Sequence, residues 1–139
     1  MYKPIGITVV VLLVLALIGV FALVVYHRSQ LDKEARDYPP PGRIVTVHNG
    51  KMHVYAAGEG ELTLVFLAGH GTSSPALDAK PLWMRMKDEY RIAVVERFGY
   101  GWSDPSRSPR DIDTMLEQTR KALELSGEKA PYILIPHSM

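Results

Sequence analysis

The sequence predicts an α/β domain carried behind a membrane-spanning helix. Three observations carry that prediction. The run from Ile5 to Tyr26, IGITVVVLLVLALIGVFALVVY, holds no charge. Further on, Leu62–Leu67, Arg91–Val95 and Tyr132–Ile135 are short and almost continuously apolar, the pattern of strands buried on both faces. Between the last two, Asp111–Ser126 has helical periodicity, and buried strands alternating with helices imply a largely parallel sheet covered on both faces.

The first element follows from length. As a helix, residues 5–26 extend about 33 Å, against a hydrocarbon core of about 30 Å. A cleaved signal peptide would carry a shorter apolar region, roughly 7–15 residues, ending in a small-x-small site. Here the run exits through Val24-Val25-Tyr26-His27-Arg28, which fits no such site. Nor is the run amphipathic, as a helix packed on a globular core would be. Residues 1–28 are therefore expected to form a single-pass anchor whose partner is the bilayer, through residues 5–26.

Orientation stays open. Lys3 precedes the span; Arg28, Lys33 and Arg36 lie beyond it. Their count places the C-terminal side in the cytoplasm, whereas a very short basic N-terminal tail is the usual form of an anchor that exports the domain behind it.

Residues 29–42 are expected to be a stalk, with a charged part, Ser29–Asp37, and a run Pro39-Pro40-Pro41 that favours extended backbone. The chain balances 16 Lys and Arg against 15 Asp and Glu, for a net charge of +1, without a basic cluster. Such a balance gives no electrostatic footprint for nucleic acid. With no cysteine, disulfides and thiolate metal sites are excluded. Nothing in the sequence calls for a cofactor or a metal.

The remaining residues, 43–139, open with a hairpin. Ile44–His48 and Lys51–Ala56 have strand composition, and Asn49-Gly50 between them is expected to be the turn, since both residues tolerate positive φ. Pro81–Asp88 is expected to be a short helix with Pro at its first position. In Asp111–Ser126, the apolar positions Ile112, Met115, Leu116, Ala122 and Leu123 recur at helical spacing. Asp111 and Asp113 suit the first turn and Gly127 the end.

In open α/β sheets ligands sit beyond the carboxyl ends of the strands. The first buried strand runs there into Ala68-Gly69-His70-Gly71-Thr72, and the second into Glu96-Arg97-Phe98-Gly99-Tyr100-Gly101-Trp102-Ser103-Asp104. The third runs into Pro136-His137-Ser138-Met139. Singly these are weak signals: glycines after strands are common, aromatics spaced by glycines make packed turns, and a lone serine is usually trivial. The first is not a phosphate loop, because the Gly-Lys-Ser/Thr ending is missing.

Taken together, in this order and spacing, they resemble the α/β-hydrolase superfamily from Arg43 to Met139. The match is with the branch that reads Asp-Arg-x-Gly-x-Gly-x-Ser-Asp after one strand and Gly-His-Ser-Met-Gly at the nucleophile. Arg97, Gly99, Gly101, Ser103 and Asp104 stand in register; Ala68, Glu96 and Pro136 depart from the pattern. The resemblance implies Ser138 as nucleophile on a strand-to-helix elbow. It also implies two backbone oxyanion donors, the N–H of Met139 and that of His70. The triad acid and base come after the nucleophile in this family, so the chain is expected to be the first half of such a domain and inactive by itself. His137 is too constrained to be the base, and His27, His48 and His53 read as structural or solvated.

The implied activity of the complete protein is hydrolysis of an ester, thioester or amide, on a small-molecule or lipid-like substrate. Dehalogenase and epoxide hydrolase chemistry would instead want an aspartate at position 138. The alternative reading is a non-catalytic, α/β-hydrolase-like membrane protein that binds a ligand or partner.

Overall fold

The computed structural model describes residues 3–138 and divides into two compact units, one ending at Pro39 and one beginning at Pro40. The first is a single helix, α1 (Lys3–Asp37). Its best 18-residue window has a mean hydropathy of 3.2 and none of it is buried, so by length and composition α1 can cross a membrane. The helix does not stop at residue 28 but takes in all of the charged segment Ser29–Asp37. It ends where proline forces it to: the residue before a proline is driven out of helical backbone, and Pro39 comes directly after Tyr38.

The second unit is a five-stranded sheet. In chain order its elements are β1 (Arg43–Val47), β2 (Gly50–Ala57), β3 (Thr63–Leu67), α2 (Pro75–Asp78), α3 (Lys80–Met86), β4 (Arg91–Glu96), α4 (Ile112–Ser126) and β5 (Tyr132–Pro136). Across the sheet the strands run β1-β2-β4-β3-β5. β3 is parallel to both β4 and β5, with Leu67 opposite Val95 and Pro136. β1 and β2 form the hairpin, and β2 joins β4 antiparallel, placing His53 opposite Glu96. The sheet is thus mixed, with parallel pairing confined to its three apolar runs, of which β3 and β4 are buried and β5 is not.

The hairpin turn lies one residue earlier than Asn49-Gly50. Val47 pairs with Gly50, so His48 and Asn49 form the loop, and His48 takes the positive φ, at 50°. Packing explains the shift. A Cβ on Gly50 would lie 2.7 Å from the Phe98 ring, so this glycine is spent on a close approach inside the ladder and not on the turn.

Alternation along the strands fills both faces. Val65, Ala93 and Val95 face one way and pack with Ala122 and Leu123 of α4. Leu64, Phe66, Ile92 and Val94 face the other, against Ala76 and Trp83 of α2 and α3. Asp111 caps α4, its carboxylate accepting from Thr114 N at 2.9 Å, and Gly127 closes it in left-handed backbone at φ 85°. At the amino ends of the strands Arg91 donates to both Glu128 oxygens, at 2.8 and 2.7 Å. β5 forms one edge of the sheet, and there Ile133 and Leu134 remain 43% and 51% exposed.

Candidate active site

The carboxyl ends of β3, β4 and β5 point the same way, which gathers the three loops singled out in the sequence. The ladder between β3 and β5 runs one residue past Pro136, His137 N–H donating to the Leu67 carbonyl at 3.1 Å. Ser138 then leaves the sheet with φ 57° and is exposed. Left-handed backbone is uncommon for any residue but glycine, and a sharp turn of this kind is how a strand presents a nucleophile.

Gly69, after β3, lies against this turn. A Cβ there would come within 2.7 Å of Ser138 Cβ and 2.8 Å of the His137 carbonyl oxygen, so only glycine lets the two loops approach. His70 is next in the same turn and is exposed. Met139, the other expected oxyanion donor, lies outside the described residues. Among those residues no carboxylate or imidazole is hydrogen-bonded to Ser138. None of their His, Asp and Glu side chains form a group of three that could hold a metal ion. A largely apolar cleft of about 280 Å³, lined by Phe66, Leu67, Ala68, Ile135 and His137 among others, opens beside the turn.

Arg97 ties the second motif to the first. Its Nη2 donates to the Ala68 carbonyl at 2.8 Å and its Nη1 to Met115 Sδ at 3.5 Å, while the guanidinium lies 5.1 Å from the centre of the Tyr100 ring. The loop carrying Gly69 and His70 is therefore held from the side by a charged donor.

Glu96 is the centre of the second loop. It is fully buried at the end of β4. Its Oε1 accepts from Ser74 Oγ at 3.0 Å and from Ala76 N at 3.2 Å; its Oε2 accepts from Trp102 N at 2.8 Å and meets His53 Nδ1 at 3.1 Å. Gly42 N–H donates to His53 Nε2 at 3.0 Å, so that nitrogen carries no proton and Nδ1 is the donor to Glu96. Burial pushes the Glu96 carboxyl up, but the His53 hydrogen bond and the backbone donors of Trp102 and Ala76 outweigh it, and the net shift is downward. Ser103 completes the set, donating to the Glu96 carbonyl at 2.6 Å and accepting from His53 N at 2.9 Å. Gly101 must be glycine, because a Cβ would collide with the Glu96 carboxylate and its φ is 49°.

In the sequence Glu96 stands out only as a departure from a motif, and His53 reads as structural or solvated. One signal is present there: a carboxylate ending an otherwise apolar buried strand must find donors, because a buried charge without partners is costly. What the sequence does not show is that β2 and β4 are neighbours.

No family model matches the chain. Over all 139 residues it is 47% identical to the uncharacterized protein YbdG of Bacillus subtilis, of which it spans 43%. An alpha/beta hydrolase fold protein from Burkholderia ambifaria superposes on 70% of the chain with a TM-score of 0.56, at 18% identity and over 34% of its own length. The Cif epoxide hydrolase from Acinetobacter nosocomialis superposes on 79% with a TM-score of 0.63, at 16% identity and over 36% of its length. The chain thus spans less than half the length of each of these three proteins. By the three loops at the carboxyl ends of its parallel strands and by its superposition on solved structures, the chain has the α/β-hydrolase fold.

Proposed function

We propose that the chain supplies the nucleophile and the oxyanion loop of a membrane-anchored serine hydrolase acting on an ester, thioester or amide. The observation that carries this reading is the backbone of Ser138, at φ 57° directly after a parallel strand with Gly69 packed on its Cβ. Ser138 Oγ bonds to the acyl carbon and the bond to the leaving group breaks. Water then releases the acid and restores the serine. Backbone N–H groups of His70 and Met139 stabilise the oxyanion of each tetrahedral intermediate, a contribution of roughly 3–4 kcal/mol per donor. The triad acid and base are supplied by the complete protein, since no described residue takes either role. Residues 5–26 hold the site at a bilayer, which suits a small-molecule or lipid-like substrate.

A fluorophosphonate probe tests the proposal. The complete protein, in detergent, should form a covalent adduct that peptide mass spectrometry maps to Ser138 and not to Ser103, whose hydroxyl is committed to Glu96 and His53. A protein that stays unlabelled, or that is labelled elsewhere, would overturn the assignment in favour of a non-catalytic ligand-binding member of the fold.

A further inference from the structure

A second cleft, of about 770 Å³, opens beside loop 68–72; its lining includes His70, Thr72, Arg97, Tyr100, Arg110 and Met115. Thr72 lines both this cleft and the apolar one, so the two meet at the loop whose Gly69 abuts Ser138. Among the described residues no carboxylate lines it. Among the described residues neither Arg97 nor Arg110 has an acid within ion-pair distance. Arg97 Nε is buried without a hydrogen-bond partner. Of the acids near them in sequence, Asp111 is bonded to Thr114, Glu96 to His53 and Trp102, and Asp104 to Lys51 N, while Asp113 lines a separate cleft with Leu116, Glu117 and Arg120.

Two arginines line one cleft with no described acid paired to either, so their charges are uncompensated there, and the part-buried Arg97 bears a desolvation cost as well. A bound anion relieves both. A guanidinium presents a planar fork of donors that matches a carboxylate.

We infer that this cleft is an anion subsite that takes a carboxylate on the substrate, contacted by Arg110 with Arg97 behind it. Its place beside a reacting ester rests on the serine-hydrolase reading; the binding does not. The preferred substrates are half-esters, with the scissile ester at Ser138 and a free carboxylate in the cleft.

The test uses the complete protein carrying Ser138→Ala, so that esters bind without turning over. Calorimetric titrations compare monomethyl succinate with methyl butyrate at matched ionic strength. The half-ester should bind at least tenfold more tightly. Arg110→Gln, at an exposed side chain, should weaken the half-ester at least tenfold and Arg110→Lys should recover part of the loss. Equal affinity for the two esters, an unchanged affinity in Arg110→Gln, or competition by chloride as strong as by the half-ester would overturn the subsite. Half-ester binding by the Ser138→Ala protein, with no fluorophosphonate label at Ser138 of the unsubstituted protein, sinks the hydrolase reading and keeps the subsite. Label without binding does the reverse.

Discussion

Replacing Glu96 by Gln should cost the complete protein about 2–4 kcal/mol of stability at neutral pH, from one buried hydrogen-bond mismatch and weaker bonds around it. The carboxylate accepts through both oxygens, from Ser74 and Ala76 on one and from Trp102 and His53 on the other. Gln has the same shape, but one oxygen becomes an NH2 that donates. Facing Trp102 and His53, that NH2 would meet two donors. Facing Ser74 and Ala76 is cheaper, because the Ser74 hydroxyl can rotate to accept, yet the buried Ala76 N–H is orphaned at about 1–3 kcal/mol. The remaining bonds also lose their charge assistance, and together these give the range.

Acid supplies the sign. The folded pKa of Glu96 lies below its ordinary value, so its contribution is full above the unfolded carboxylate range and is lost as pH falls through the depressed folded value. The gap between wild type and Glu96→Gln should therefore be widest at pH 7 and close as pH drops below about 4. Taking the gap between the two proteins cancels the other carboxylates that titrate there. Urea unfolding in detergent, followed by tryptophan fluorescence, reads it. A gap under about 0.5 kcal/mol at pH 7, the size of an ordinary surface substitution, would refute the reasoning, as would one that does not shrink on acidification.

The two units carry one further prediction each. Because α1 can span a bilayer, the chain should stay with membranes through an alkaline carbonate wash, and deleting residues 1–28 should release it. Recovery of the intact chain in the wash supernatant would remove the anchor. Because β5 is an edge strand with Ile133 and Leu134 exposed, residues 37–139 expressed alone should aggregate. A monodisperse monomer with a cooperative melt would refute that.

Local pattern decides how much of the fold is legible in the sequence. The uncharged run to Tyr26, the buried strands β3 and β4 and the Asp111 and Gly127 ends of α4 all depend on neighbours a few residues away, and all stand in the structure. β5 forms as a strand but at the sheet edge, half-exposed and not buried on both faces as expected. The hairpin is displaced by one residue because a tertiary contact, Phe98 on Gly50, decides which glycine is free for the turn. The short helix at Pro75 and the helical course of Ser29–Asp37 are not legible either, one for its length and the other for lacking an apolar face. The Glu96–His53 pair joins residues 43 positions apart. Periodicity reports that a strand is buried, not which strand lies beside it, so β2 against β4 is invisible in the sequence. At the site, the three loops are legible through their glycines and Ser138. Arg97 is visible as a motif residue, but its hold on the Ala68 carbonyl is not.

Whether Ser138 performs the chemistry is tested most directly by turnover in substituted forms of the complete protein. With a p-nitrophenyl ester, Ser138→Ala should abolish hydrolysis above buffer, because a serine nucleophile has no substitute within the turn. Ser103→Ala should lower stability, since it leaves His53 N–H and the Glu96 carbonyl without their partner, while turnover at a permissive temperature persists. Ester hydrolysis by Ser138→Ala at the wild-type rate would contradict the assignment.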